Sequence, residues 1–80
     1  MIDKKAFGRR LKAWRQRRGM KQKVLCEMCK ISQGSLSEIE TGKSLPSADT
    51  IANMIEFTEF PVLEEFVRCW VAEKGDKNEK

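Results

Sequence analysis

The stretch ISQGSLSEIETGK, residues 31–43, decides how the chain is read. Leu36 and Ile39 lie three residues apart, so in a helix they share one face. Ser32 is a suitable N-cap, because its hydroxyl can accept from the free N–H groups of a first helical turn. Gly42 supplies a stop. The expected helix, residues 33–40, gives Leu36 and Ile39 to a core and leaves Gln33, Gly34, Ser35, Ser37 and Glu38 outside it. A short helix with so polar an outer surface is displayed to something rather than buried.

Upstream of it, Phe7, Leu11 and Trp14 recur at i, i+4 and i+7, one face of a helix from about Lys5 to Arg18. Arg9, Arg10, Lys12, Arg15, Arg17 and Arg18 cover most of its remaining surface, and Gly19 is a plausible end. A second helix is expected from Gln22 to Cys29, with Val24, Leu25 and Met28 facing inward. Downstream, KSLPS is a loop whose Pro46 holds Leu45 extended. Ser47 caps a fourth helix to about Ile55, buried through Ile51, Ala52 and Ile55. EFTEF is a link, and Pro61 suits the first turn of a fifth helix over residues 61–73. Residues 74–80 form a polar, flexible tail. The fold class is all-α: one five-helix domain over residues 1–80, with no internal repeat.

The fifth helix carries Val62, Leu63, Phe66, Val67, Trp70 and Val71, a stripe wide for a small bundle to cover. Apolar area rimmed by charge often marks a protein contact. Leu63, Phe66, Val67, Trp70 and Val71 are therefore the expected homodimer surface.

Eighty residues allow one small core, and the net charge is +4. The charge is one-sided. Residues 1–30 hold eleven Lys or Arg against Asp3 and Glu27, whereas residues 31–80 hold five basic and ten acidic residues. Such a field favours a polyanion, of which nucleic acid is the commonest. No run approaches the roughly 20 apolar residues of a membrane span, and no apolar run follows the basic N-terminus as in a signal peptide. The expectation is a cytoplasmic protein with no membrane partner. Cys26 and Cys29 form a CxxC, but with no His and one distant Cys69 a four-ligand zinc site cannot be completed by Cys and His. They read as small buried apolar residues. Neither a metal nor another cofactor is implied, and no catalytic constellation argues for an enzyme.

Residues 6–56 resemble the helix-turn-helix proteins of phage repressor and Cro type, the XRE-like family. The matching stretches are RLKAWRQRRGMKQKVLCEMC, ISQGSLSEIETGK followed by SLPS, and TIANMI. The resemblance implies a compact repressor-like bundle in which the helix over residues 33–40 enters the DNA major groove, where base edges carry distinct donor and acceptor patterns. It implies a phosphate contact for Gln22, which also steadies that helix, and a base contact for Gln33, whose amide can pair with adenine. Ser35 and Ser37 can meet phosphates or bases, and Gly34 allows close approach. Glu38 departs from the family pattern. A carboxylate there can accept from cytosine N4, or it can simply face solvent. Arg10, Lys21, Lys23 and Lys43 are expected at the DNA backbone. Arg15 and Glu40 match positions that form a structural ion pair in relatives.

The combined reading is a sequence-specific double-stranded DNA-binding regulator acting as a homodimer on an inverted repeat. Two recognition helices about 34 Å apart would read half-sites one helical turn apart. The alternative is an antitoxin-like or regulatory protein-interaction module that keeps the fold with weak base reading and binds a protein partner.

Overall fold

The computed structural model describes residues 1–71; the expected tail over 74–80 and the last two residues of the expected fifth helix lie outside them. Five helices follow in order: α1 (Lys4–Arg17), α2 (Gln22–Cys29), α3 (Gln33–Glu40), α4 (Ala48–Phe57) and α5 (Val62–Arg68). The fold is all-α, and the caps explain the boundaries. Asp3 accepts from the Ala6 N–H at 3.0 Å, Ser32 from Ser35 at 3.0 Å and Ser47 from Thr50 at 3.2 Å. α1 ends at Arg18 and Gly19, the latter with φ 65°, which a glycine adopts without Cβ strain.

The core is Phe7, Leu11 and Trp14 of α1, Leu25, Cys26 and Cys29 of α2, Leu36 and Ile39 of α3, Met54 of α4, and Phe60, Val62 and Cys69 around α5. Phe60, in the segment expected to be a mere link, is a central member. Its ring meets Phe7 edge-on at 5.9 Å and Trp14 at 5.4 Å. Phe66 stacks on Phe7 at 4.7 Å. The link thus carries the aromatic that joins α1 to α5.

Two inward faces and one helix end differ from expectation. In α2 the buried residues are Leu25, Cys26 and Cys29, while Val24 is 45% exposed. In α4 Thr50 and Met54 are buried, Ala52 is exposed, Ile51 is half-buried and Ile55 is 54% exposed. Hydrogen bonding explains the rotation of α4. The Thr50 hydroxyl meets Ser47 Oγ at 3.1 Å, and Asn53 Nδ2 donates to the Cys29 carbonyl at 3.0 Å. Both polar residues are satisfied facing inward, so one isoleucine is left outside.

The third difference is the end of α5. It stops at Arg68, and residues 69–71 leave the helix to form an antiparallel bridge, Ile2 with Trp70. The Met1 ammonium donates to the Val71 carbonyl at 3.0 Å, Val71 N–H to Met1 at 2.7 Å, and Asp3 N–H to Cys69 at 2.8 Å. Cys, Trp and Val are indifferent helix formers and good strand formers, so three long-range backbone bonds outcompete one more helical turn.

All three cysteines are free and buried. Burial pushes the Cys29 thiol up from 9.0 to about 11, with a smaller push from Cys26. Cys26 and Cys69 are also raised, chiefly by burial. Well below pH 9 the Cys29 thiol is protonated in both folded and unfolded chains. Between pH 9 and 11 the unfolded chain releases the Cys29 proton and the folded one does not, so stability falls. Urea denaturation at pH 8 and pH 11 is expected to differ by about 2–3 kcal/mol through this thiol. Cys29→Ala should flatten that slope, and an unchanged slope would contradict the assignment.

Candidate nucleic-acid interface

α2 and α3 are joined by Lys30, Ile31 and Ser32, and Lys30 adopts φ 60°. A left-handed residue there makes a tight turn. The turn is buttressed from α4: Asn53 holds the Cys29 carbonyl, and Lys30 Nζ lies 4.9 Å from the centre of the Phe57 ring.

α3 is held to α1 through a buried polar network. Arg15 Nε donates to Glu40 Oε2 at 2.7 Å and its Nη2 to Oε1 at 3.0 Å. Arg15 Nη1 also donates to the Met20 carbonyl at 2.9 Å. Both side chains are nearly inaccessible. Donating its hydrogen bonds to Glu40 raises the Arg15 pKa above its ordinary value, with burial opposing. The pair is closed to solvent.

Gln22 extends this network to the surface. Its Nε2 donates to Glu40 Oε1 at 3.0 Å and lies 3.3 Å from the Ser37 hydroxyl. Its Oε1 faces Gln33 Nε2 at 3.4 Å. Gln33, at the first position of α3, is exposed but has its amide oriented from below. Ser37 was expected on display; it is half-buried and turned toward Gln22, because that side of α3 packs against α2.

Gly34, Ser35 and Glu38 are exposed. Ser35 Oγ accepts from Ser32 Oγ at 3.0 Å. Glu38 and Ser35 line a shallow groove with Ser44, Leu45 and Pro46, so Glu38 flanks the loop after α3, opposite the Gln22 side. Among the described residues Glu38 has no ion pair.

The basic residues divide by partner. Arg10 is paired with Glu65 of α5, which raises its pKa by hydrogen bond and charge. Arg18 stacks 4.7 Å over Trp14 and lies 3.4 Å from Glu59. Lys21, Lys23 and Lys43 are exposed, with no ion pair among the described residues. Lys21 and Lys23 flank Gln22 at the start of α2, where the Gln22 and Lys23 N–H groups have no backbone partner among the described residues. Such a terminus suits an anion.

Lys5 is the residue the sequence reading missed. A Cβ on Gly42 would sit 2.6 Å from Lys5 Cγ, so the first turn of α1 lies directly beside the loop carrying Lys43. Thirty-seven positions separate Lys5 from Gly42, and no local pattern marks their approach.

The expected dimer residues divide as well. Leu63, Val67, Trp70 and Val71 are 59%, 76%, 61% and 41% exposed. Phe66 is half-buried against Phe7 and spends most of its area on the monomer core. No helix among the described residues is long and apolar enough to cross a membrane.

A helix-turn-helix domain family profile matches residues 6–66, which includes all of α2, the turn and α3. The chain is also similar to the ImmF control region 10 kDa protein of Bacillus phage phi105, with 32% identity over 75 residues, covering 81% of this chain and 83% of that protein. With that match, the tight α2–α3 turn and the clamp from Arg15 to Glu40, the chain belongs to the XRE-like helix-turn-helix family.

Proposed function

We propose that the protein is a sequence-specific double-stranded DNA-binding transcriptional regulator, acting as a homodimer on an inverted-repeat operator. The observation that carries the reading is the orientation of Gln33. Gln22 accepts from its amide nitrogen, which leaves the amide oxygen and a second N–H facing outward. That is the pattern adenine N6 and N7 require in the major groove. Gly34 leaves room beside it, Ser35 adds a hydroxyl, and Glu38 on the far flank suits cytosine N4.

Lys21, Lys23, Gln22 and Lys43 form the phosphate footprint, with Lys5 added beside Lys43. Gln22 meets phosphate through the free N–H groups at the start of α2, since its side-chain donors are directed at Glu40 and Ser37. Arg10 falls outside the footprint because Glu65 engages it. Homodimerisation through the exposed apolar residues of α5 and the segment after it would give two recognition helices. The phage relative is named as a control-region protein, which accords with a regulator.

Selection of bound sequences from a random duplex pool tests this. The expected product is an inverted repeat, with one base position relaxed for Gln33→Ala at a cost of about 1–3 kcal/mol in discrimination. Absence of enrichment would sink the reading. The second reading, a protein-interaction module, draws on Glu38 standing exposed on the far flank of α3, without an ion pair among the described residues. It predicts no operator preference at any salt, whereas a DNA reader loses orders of magnitude in affinity between about 50 and 200 mM salt and keeps its preference.

A further inference from the structure

The bridge between the two ends of the described chain leaves an open edge. Met1 and Asp3 direct their backbone bonds at Val71 and Cys69. In an antiparallel ribbon the residue between them points its N–H and C=O the other way. Among the described residues neither backbone group of Ile2 has a hydrogen-bond partner. Beside this edge lies an apolar groove lined by Ile2, Phe66, Val67 and Trp70, with Trp70 and Val67 largely exposed.

We propose that this edge is the dyad of the homodimer: Ile2 pairs antiparallel with Ile2 of a second copy, each donating its N–H to the other's carbonyl. The inference rests on the dimer reading above and names its surface. A second copy fits because the pairing is self-complementary. One residue offers both a donor and an acceptor, and a two-fold axis between the two copies of Ile2 satisfies all four groups. In that register Met1 stands opposite Asp3 of the other copy, while their own backbone groups stay bonded to Val71 and Cys69.

Trp70 is the cross-strand neighbour of Ile2, so both lie on the same face of the ribbon. Pairing about the dyad therefore gathers Ile2 and Trp70 of both copies into one apolar strip over Val67. The ribbon also borders Gly42 at the end of α3, so the dyad lies near the C-terminal ends of both recognition helices. Leu63, further along α5, lies beyond the strip and lines a separate groove with Ile55 and Pro61.

Cysteine crosslinking of the full chain tests the register. A hydrogen-bonded antiparallel pair has Cα atoms about 5.5 Å apart, within disulfide reach. The three native cysteines are buried and do not compete. Ile2→Cys is expected to convert to a covalent dimer under mild oxidation, while Leu63→Cys stays monomeric on a denaturing gel. Ile2→Lys, which sets two ammonium groups face to face, should weaken dimerisation by about tenfold or more in sedimentation equilibrium while Trp fluorescence reports an intact fold. A chain that is dimeric but crosslinks only through Leu63→Cys overturns the Ile2 dyad and leaves the homodimer standing. A chain that is monomeric at all concentrations overturns both the dyad and the homodimer, with DNA binding then judged by the duplex selection alone.

Discussion

Glu40→Ala is expected to cost about 3–5 kcal/mol of folding stability, the largest effect of any single side-chain truncation outside the apolar core. The Glu40 carboxylate accepts from Arg15 Nε, Arg15 Nη2 and Gln22 Nε2 at 2.7, 3.0 and 3.0 Å, and both Arg15 and Glu40 are buried. Truncation leaves a guanidinium out of water with only the Met20 carbonyl at 2.9 Å as a partner. A domain of this size has roughly 4–12 kcal/mol in total, so the variant sits at or past the edge of folding. Urea denaturation measures this directly, and a loss below about 1 kcal/mol would mean that the ion pair is not closed to solvent. The double variant Arg15→Met with Glu40→Leu separates stability from function. Two apolar residues can restore most of the stability, because neither charge then needs solvating. They cannot anchor Gln22, so Gln33 loses its orientation and the selected operator should stay degenerate at that base.

Gly8→Ala is expected to destabilise by about 3 kcal/mol, against what helix propensity alone would give. Alanine is about 1 kcal/mol better than glycine within a helix, and Gly8 lies in the middle of α1. The close approach of α3 reverses the sign. A Cβ at residue 8 would stand 2.3 Å from the Ile39 carbonyl oxygen, 2.6 Å from that of Glu40 and 2.8 Å from the Glu40 carbonyl carbon. All three are backbone atoms that cannot rotate aside, so α1 and α3 must part. That motion also stretches the Arg15–Glu40 pair, which spans the same two helices. A drop in Tm of about 10 °C or more is the expected reading for a chain of this length. A variant as stable as the parent would show that the two helices are free to separate.

These two residues show how differently the site was legible. Arg15 and Glu40 could be paired from the sequence only because the family resemblance supplied the partner. Gly8 carried no signal, since a glycine inside a basic helix looks like a simple weakness until the second helix is seen crossing it. The short helices α2 and α3 were legible to the residue, because Ser32 caps one and the turn at Lys30 separates them. Their local hydrogen bonding is complete within a few positions. The recognition surface was legible as a list, Gln33 to Glu38, but not as a geometry. That Ser37 turns toward Gln22 while Glu38 flanks the loop over Ser44–Pro46 depends on where α2 and the start of α4 pack.

By itself, then, the sequence determined the number of helices, the caps at Ser32 and Ser47 and the polar face that α3 presents, all of them consequences of periodicity and of side chains bonding to their own backbone within a turn. Only the tertiary structure decided which residues α4 buries, that Phe60 rather than a linker atom joins α1 to α5, and that Arg10 is taken up by Glu65. It also ended α5 at Arg68 and gave Trp70 and Val71 to a ribbon with the first residues of the chain. The common reason is distance along the chain. A helical turn chooses among partners three or four positions away, whereas Val71 found its partner in Met1, and no window of sequence contains both.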